Sequence, residues 1–599
     1  QIPPLTEGSP ADAERWRLQT LLAQVVEFHR REDKPLWWAM FDRHTMTKEE
    51  LCEDLSCLGG LQRLPRPPEK IKQSLGFWYT FDPDQDTKLE VGSRCYFAHD
   101  LALQTEIHHL DRERGRICLK FGPTKLKQLP GGAPPERLSL IPDEYVRADV
   151  IVNSITSTAT LWRDTRQLSS ALEDFLFRRP PRITGHSGGA VVPTGADLIE
   201  ATLTAIAALD RSTLCIQGPP GAGKTTVAAQ AILALLKHGK RIGIAANSHA
   251  AILNVLSRCR ELADGDLMCL KIGGSREASF FAACPRAVYA ENLKAALPTI
   301  GQTPLIGGTA WVFSDPAMQG TLDYLFVDEA GQVSVANLIG MAPAAQNLVL
   351  IGDQMQLGQP LQGFHPGESG RSLLDYLLQG KATIPEEVGI FLGTTWRLHP
   401  RLCDFISGAV YEGRLQPAPH TQHRIVRVPP TARYVTREAG ILFVPVAHEG
   451  NTQGSDEEVA VIRELADELL GREVTNEQGQ VARRLQLEDI LFVAPYNMQV
   501  RKLNRSLGLQ ARVGSVDKFQ GQEAPVVILS MCASSGAGSP RGLEFLLNKN
   551  RLNVALSRAQ SLTIVVANPA LAQTRCQSLS QMALLNLFCR VILEGGEGG

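Results

Sequence analysis

The run Gly218-Pro219-Pro220-Gly221-Ala222-Gly223-Lys224-Thr225 gathers glycine freedom, a long cation and a hydroxyl into one short stretch. Glycines let successive backbone N–H groups curl around phosphate oxygens without Cβ clashes, and a helix beginning behind them adds partial positive charge. Lys224 is expected to reach the β- and γ-phosphates of a nucleotide and Thr225 to hold Mg2+, with Thr226 opening the helix behind them. A second chemical group is Asp328-Glu329, at the end of the apolar Leu325-Phe326-Val327. Carboxylates ending a buried strand would sit at the edge of the sheet, beside the phosphate loop. Asp328 would complete the Mg2+ shell, largely through water, and Glu329 would polarise an attacking water. Taken alone, Asp-Glu is more often a solvated turn. Capping an apolar strand downstream of a phosphate loop, it reads as chemistry.

The elements that must position these groups are legible around them. Leu214–Gln217 is a short apolar strand and Thr226–Leu236 a helix, so the glycine run lies between strand and helix, as phosphate binding requires. Strands and helices alternate from there to near the end, the pattern of parallel-sheet α/β domains. Ahead of them, Gly185–Gly195 reads as a linker, and Thr156–Arg179 as one helix ended by Pro180 and Pro181. Leu18, Leu21, Leu22, Val25 and Phe28 recur at a helical period over Ala11–Arg31, and a second helix is expected over Lys48–Leu58. Between these helical stretches the texture is β-rich. Strands are expected at Gly76–Phe81, Lys88–Ala98, Thr105–Leu110, Arg116–Phe121 and Leu138–Ile141, with a hairpin turn at Asp111–Gly115. Their spacing suggests a small barrel.

Length and composition bound the rest. At 599 residues, roughly 150 residues per domain gives about four units. The chain is 44% hydrophobic and 21% charged, the balance of an ordinary globular protein, and no window approaches a membrane span. A net charge of −2 carries no global signature for nucleic acid, so any phosphate contacts must come from local patches. The 12 cysteines are scattered without zinc-ligand spacing, which predicts free thiols in a reducing, cytoplasmic compartment and no structural metal. The start, Gln1-Ile2-Pro3-Pro4, has neither an initiator Met nor a signal-like stretch; a longer native polypeptide is expected. The tail, Glu594–Gly599, is expected to fray.

Further residues give the pattern a family. Asp328-Glu329-Ala330 followed by Gly352-Asp353-Gln354-Met355-Gln356-Leu357 resembles motifs II and III of superfamily 1 helicases. Trp396-Arg397-Leu398-His399-Pro400, continuing to Tyr411-Glu412-Gly413, resembles the signature of the superfamily 1B group that contains the nonsense-mediated-decay and Dna2-like helicases. Val513 to Glu523 is similar to motif V, and Arg551-Leu552-Asn553-Val554-Ala555-Leu556-Ser557-Arg558-Ala559 to motif VI. The resemblance runs from about Leu214 to Val566, in the family's order. It implies two RecA-like P-loop domains with ATP and Mg2+ between them, an accessory β-barrel and a helical stalk. The implied division is 1–70 as an N-terminal helical segment, 71–150 as barrel, 151–184 as stalk and linker, 185–390 as the first RecA-like domain and 391–599 as the second.

The same resemblance assigns roles. Gln356 would report the γ-phosphate, Arg397 and Arg558 would reach it from the second domain, and Trp396 and Glu523 would contact the nucleotide. A permanently charged, planar guanidinium suits that task, although either arginine alone would more often be a surface ion-pair partner. Trp396 stands where the family has tyrosine; either ring can stack on a base. No glutamine lies between Leu168 and Ile216, so the usual adenine reader ahead of the loop is missing. Motif III ends Leu357-Gly358-Gln359-Pro360 rather than Leu-Pro-Pro.

Single-stranded DNA is the implied partner, followed 5′→3′, with RNA as the alternative. Ser248, Thr309 and Ser515 match backbone-contacting positions, and Trp311 and Tyr496 could stack on bases. Each has a bland reading as cap or core. Lys120, Lys125 and Lys127 on the barrel could touch phosphates or form a solvated face. Lys34-Pro35-Leu36-Trp37-Trp38 resembles, more loosely, the helicase half of bacterial RecB-like nuclease–helicase fusions, which implies an upstream nuclease domain or partner. A non-unwinding ATP-dependent clamp is a further reading of the same motifs.

Overall fold

The computed structural model describes residues 10–85, 87–264, 266–508, 510–536 and 541–596. The expectations for Gln1-Ile2-Pro3-Pro4 and for the last three residues lie outside them. The chain divides into two compact units. One holds the chain up to Val25, Val150–Pro360 and everything from Glu368; the other holds Val26–Asp149 with Leu361–Gly367.

The smaller unit is built on antiparallel strands β1 (Leu58–Arg63), β2 (Glu69–Ile71), β3 (Ser74–Thr80), β4 (Arg94–Phe97), β5 (Asp100–Asp111), β6 (Arg116–Phe121) and β7 (Arg137–Pro142). Their order is β1-β7-β4-β5-β6-β3, and β1 pairs back onto β3, so six strands close into a barrel with β2 attached at β3. Tyr79, Ile107, Ile117, Leu119 and Leu140 fill it, the inward half of an alternating pattern. The barrel begins at Leu58, not at residue 71. Gly59-Gly60 disguises its first strand as a turn, yet the register of β1 on β7 shifts between Leu58 and Leu61, and a Cβ at Gly59 would meet Cys52 Sγ at 2.6 Å. The glycines serve a bulge at a close approach. The expected strand Lys88–Ala98 shortens to Arg94–Phe97 because a turn, with Ser93 N–H on Glu90 C=O at 3.0 Å, takes its first half.

The helical segments are also cut more finely than their periodicity suggests. Pro10–Val26 and Phe28–Thr45 are separate helices; Leu18, Leu21, Leu22, Val25 and Phe28 are all buried. Lys48–Glu53 opens with a capping box between Thr47 and Glu50, which satisfies two orphan N–H groups. The single helix expected over Thr156–Arg179 is two, Asp149–Thr165 and Ser170–Leu176, broken where Arg166 adopts φ +59°. No glycine or proline marks that break.

The larger unit contains two fully parallel sheets. The first comprises β8 (Thr213–Gln217), β9 (Ile242–Ala245), β10 (Cys269–Ile272), β11 (Ala287–Ala290), β12 (Leu305–Gly308), β13 (Leu322–Val327), β14 (Ala345–Gly352) and β15 (Gly389–Phe391), in the order β11-β10-β12-β9-β13-β14-β8-β15. The second comprises β16 (Gly440–Pro445), β17 (Ile490–Val493), β18 (Arg512–Gly514), β19 (Ala524–Ser530) and β20 (Ala559–Ala567), in the order β16-β20-β19-β17-β18. Their central strands are buried on both faces, as continuous apolar runs such as Leu214-Cys215-Ile216 and Ile490-Leu491-Phe492-Val493 demand. These are two RecA-like domains. Register decides the chemistry: Gln217 pairs with Gly352 and Val327 with Leu350, so β8, β13 and β14 end together. The glycine loop, Asp328 and Asp353 therefore emerge side by side.

A candidate nucleotide cleft between two parallel sheets

A cleft of about 400 Å3 opens where the two sheets face each other, within the size range of ligand sites. The glycine loop forms one wall. Gly221 and Gly223 take φ +73° and +80°, and a Cβ at Gly218 would lie 2.3 Å from Lys224 Cγ, so these positions require glycine. The helix Lys224–Lys237 starts directly behind Gly223. Lys224, Thr225 and Thr226 line the cleft with Pro220, Gly221, Ala222 and Gly223. Gly218 and Pro219 stand behind the lining, their carbonyls accepting from Lys224 Nζ.

Asp328 and Glu329 face this loop. Burial and then the charge of Glu329 push the Asp328 carboxyl up to about 7, against the pull of Lys224. Glu329 has φ +53°, a left-handed conformation that costs a branched-out side chain energy and that persists only where surroundings over-determine it. Gln356 Nε2 donates to Asp353 Oδ2 at 2.8 Å, presenting its carbonyl oxygen to the second domain.

From that domain come two guanidinium groups. Arg558 is 2% exposed; it donates to Val554 C=O at 3.2 Å, to Gln522 C=O at 3.3 Å and to Gln356 Oε1 at 3.4 Å. Burial, and then the charge of Arg397, lower its pKa to about 10. Arg397 pairs with Glu523 and donates to Ser557 C=O. Burial would raise Glu523, but Arg397 and the amide of Gln560 hold it below the usual carboxylate range. Trp396, half exposed, stacks on His420 with ring centroids 5.6 Å apart, and its backbone N–H donates to Gly221 C=O at 2.8 Å. Every residue expected at the nucleotide therefore lines one cleft or directly backs it.

The positions expected to track nucleic acid do not converge in this way. Ser248 is exposed, but its hydroxyl caps the helix His249–Leu262 by accepting from Ala251 N–H at 3.1 Å. Thr309 begins the short helix Ala310–Phe313 without a side-chain cap, and Trp311 beside it is 38% exposed. Ser515 is half-buried. Tyr496 departs from expectation. Its ring is only 6% exposed and packs against Phe545, centroids 5.4 Å apart, so it offers no open face to a base. On the barrel, Lys120 is paired with Glu106 and Lys125 Nζ donates to Gln104 C=O, which leaves only Lys127 of that trio without such a partner among the described residues.

Two AAA domain family models match the chain, over residues 200–364 and 369–570. The chain is 24% identical to the DNA replication ATP-dependent helicase/nuclease JHS1 of Arabidopsis thaliana, over 85% of this chain and 39% of that protein. It is 25% identical to the ATP-dependent helicase NAM7 of Saccharomyces cerevisiae, over 63% of this chain and 42% of the relative. It is likewise 25% identical to the Regulator of nonsense transcripts 1 homolog of Drosophila melanogaster, over 66% and 36%. The chain is similar to superfamily 1 helicases of the nonsense-mediated-decay/Dna2-like group. It spans about two fifths of the length of these relatives.

Between the two RecA-like domains lies a polar seam that the motif reading did not assign. Tyr411, fully buried, donates to Asp353 Oδ2 at 2.7 Å and accepts from Asn553 Nδ2 at 2.9 Å. Asn553 also donates to Met355 C=O at 2.7 Å, and Asn550 to Gln354 C=O at 2.9 Å. Motif III of the first domain is thereby stitched to motif VI of the second, one helical turn ahead of Arg558. All but Asn550 sit inside motifs the sequence displays; only their pairing was invisible. Ala251 and Asn254 line the cleft as well, outside every motif, and Gly521 joins them from within motif V. Among the described residues, no helix is long and apolar enough to cross a membrane.

Proposed function

We propose that this chain is the motor of an ATP-driven helicase that moves 5′→3′ along single-stranded DNA and separates duplex ahead of it. The observation that carries the reading is the cleft itself. Lys224, Thr225, Asp328, Glu329 and Gln356 of one RecA-like domain and Arg397 and Arg558 of the other surround one nucleotide-sized space.

The donor set suits its cargo. A glycine loop with forbidden Cβ positions presents backbone N–H groups to polyphosphate, and Thr225 Oγ1 with the Asp328 carboxyl offers the hard oxygens that Mg2+ takes. Mg2+, when bound there, supplies positive charge against the phosphate oxygens. Lys224 binds the β- and γ-phosphates, Glu329 orients and accepts a proton from the attacking water, and Arg397 and Arg558 stabilise charge that develops on the transferred group. Trp396 stacks on the base, and Glu523 contacts the nucleotide beside it. Because the γ-phosphate is gripped from both domains, its loss removes the bridge between them. The seam of Asp353, Tyr411 and Asn553 turns that loss into a domain shift, a two-state element biased by nucleotide. Ser248, Thr309, Ser515 and Trp311 then hold the strand through its phosphates and bases, largely without reading sequence.

The similarity to a DNA replication helicase/nuclease supports a setting in genome maintenance, repair or defence, with a nuclease upstream or as partner. Twelve free thiols fit a reducing, cytoplasmic compartment.

The test is ATP turnover of purified protein alone, with single-stranded DNA and with single-stranded RNA, followed by strand separation on tailed duplexes. Stimulation by DNA and unwinding of 5′-tailed duplex is the expected result. Equal or greater stimulation by RNA makes the substrate RNA; stimulation without strand separation makes the protein a clamp. Turnover indifferent to both nucleic acids overturns the reading.

A further inference from the structure

The burial of Tyr496 leaves the second domain without its expected stacking aromatic and points to another. Phe545 lies on the short helix Gly542–Leu546, whose Leu543 and Leu546 are buried and fix it in place. Phe545 itself is half-buried, its ring tilted 41° against that of Tyr496. Two guanidinium carbons approach the same ring: Arg541 at 4.7 Å and Arg551 at 4.5 Å from its centroid. Arg551 has a counter-charge, Asp517, at 3.5 Å. Arg541 is exposed, and among the described residues no carboxylate pairs with it. Two cations held against one ring repel each other, and only one of them is compensated; an anion beside the ring completes the cluster.

We propose that Phe545, with Arg541 and Arg551, is the nucleic-acid contact of the second RecA-like domain, Phe545 stacking on one nucleobase while the two arginines take the flanking phosphates. This rests on the helicase reading above. An aromatic face beside cations is how single-strand binders hold a chain without reading its sequence. Arginine serves both parts, since its planar guanidinium stacks on rings and forks onto phosphate oxygens. The position also carries a consequence. Arg551 lies on the helix Lys549–Leu556, which carries Asn553 of the interdomain seam and leads directly to Arg558. A base seated on Phe545 is thus linked through one short helix to the residues that face the γ-phosphate.

The experiment uses the full chain and a fluorescein-labelled single-stranded oligonucleotide of mixed sequence, with anisotropy read at several salt concentrations. Phe545→Ala is expected to weaken binding about 5- to 100-fold, the range that stacking on one base supplies, and Phe545→Trp to restore it. Arg541→Ala, at an exposed position that cannot unfold the domain, is expected to weaken binding several-fold. It should also lower the slope of log affinity against log salt by about 1, as loss of one phosphate contact requires. Wild-type affinity and salt slope in both Phe545→Ala and Arg541→Ala overturn this inference alone. Failure of the wild-type chain to bind any single strand overturns the helicase reading and this inference with it.

Discussion

The nucleotide cleft and the proposed nucleic-acid face of this chain rest on motifs of similar length, yet the structure treats them differently. At the cleft, residues as far apart as Lys224 and Arg558 line one space. On the nucleic-acid face, Ser248 doubles as a helix cap and Tyr496 is sealed against Phe545. The difference follows from what each job demands. A polyphosphate with its cation dictates loop glycines, a lysine, hard oxygens and arginines in a fixed arrangement, and few other tasks use that combination. A hydroxyl or an aromatic ring serves equally well as cap, core or contact, so the residue type alone cannot say which.

The largest test of this contrast lies in the cleft. Lys224→Ala and Arg558→Ala should each lower ATP turnover by about 10³-fold or more, measured as phosphate release with nucleic acid present. Near-normal turnover in either variant removes that residue from the mechanism and narrows the gap between the two regions. The seam should show a smaller effect. Tyr411→Phe strips a buried partner from Asp353 and Asn553, so denaturant unfolding should report a loss of roughly 1–3 kcal/mol. Unchanged stability would mean that the two domains are not stitched at this point.

A pH effect of similar size is expected beside the arginines. Burial, and then the charge of Arg401, depress His399 from 6.5 to about 4. Its neutral form, accepting from Arg401 N–H, contributes stability that is present above pH 6.5 and lost as pH falls toward 4. Between pH 7.5 and 5 the loss should be on the order of 2 kcal/mol, and His399→Asn should flatten that slope. A slope unchanged by the substitution would assign the pH dependence elsewhere.

The smallest effect separates the two jobs of Ser248. Ser248→Ala should cost about 1 kcal/mol as a lost cap. Ser248→Asp keeps the cap but places negative charge where a phosphate would lie, so stability should hold while single-strand affinity falls several-fold. Undiminished affinity in Ser248→Asp would leave this residue as a cap alone.

Much of the architecture was legible because pattern and geometry coincide. Strand Leu214–Gln217, the glycine loop and the following helix are one unit of chemistry, and the spacing shows it. The barrel was visible in Arg116–Phe121 and its neighbours, but its first strand was not, because a bulge that needs Gly59 and Gly60 looks like a turn. The break at Arg166 was hidden for the opposite reason: a left-handed residue that is neither glycine nor asparagine carries nothing in its type to announce it. Tyr496 was misjudged because burial depends on partners such as Phe545, which lie far along the chain. The pairing of Tyr411 with Asp353 and Asn553 is of the same kind, a long-range event between residues whose types permit many partners.

Closure of the barrel has a consequence for how the chain comes to be folded at all. Its strands are contiguous, Leu58 to Pro142, and neighbours such as β5 and β6 meet through tight hairpins, so they can pair as soon as that stretch leaves the ribosome. The first RecA-like sheet must wait, since β8 pairs only with β14 and β15, more than a hundred residues later in synthesis. Parallel strands with such distant partners form slowly and expose unpaired edges while they do. Because β1 returns to β3, the six barrel strands made earlier offer no open edge, and among the described residues the three-residue β2 is the one rim left onto which those waiting strands could add themselves.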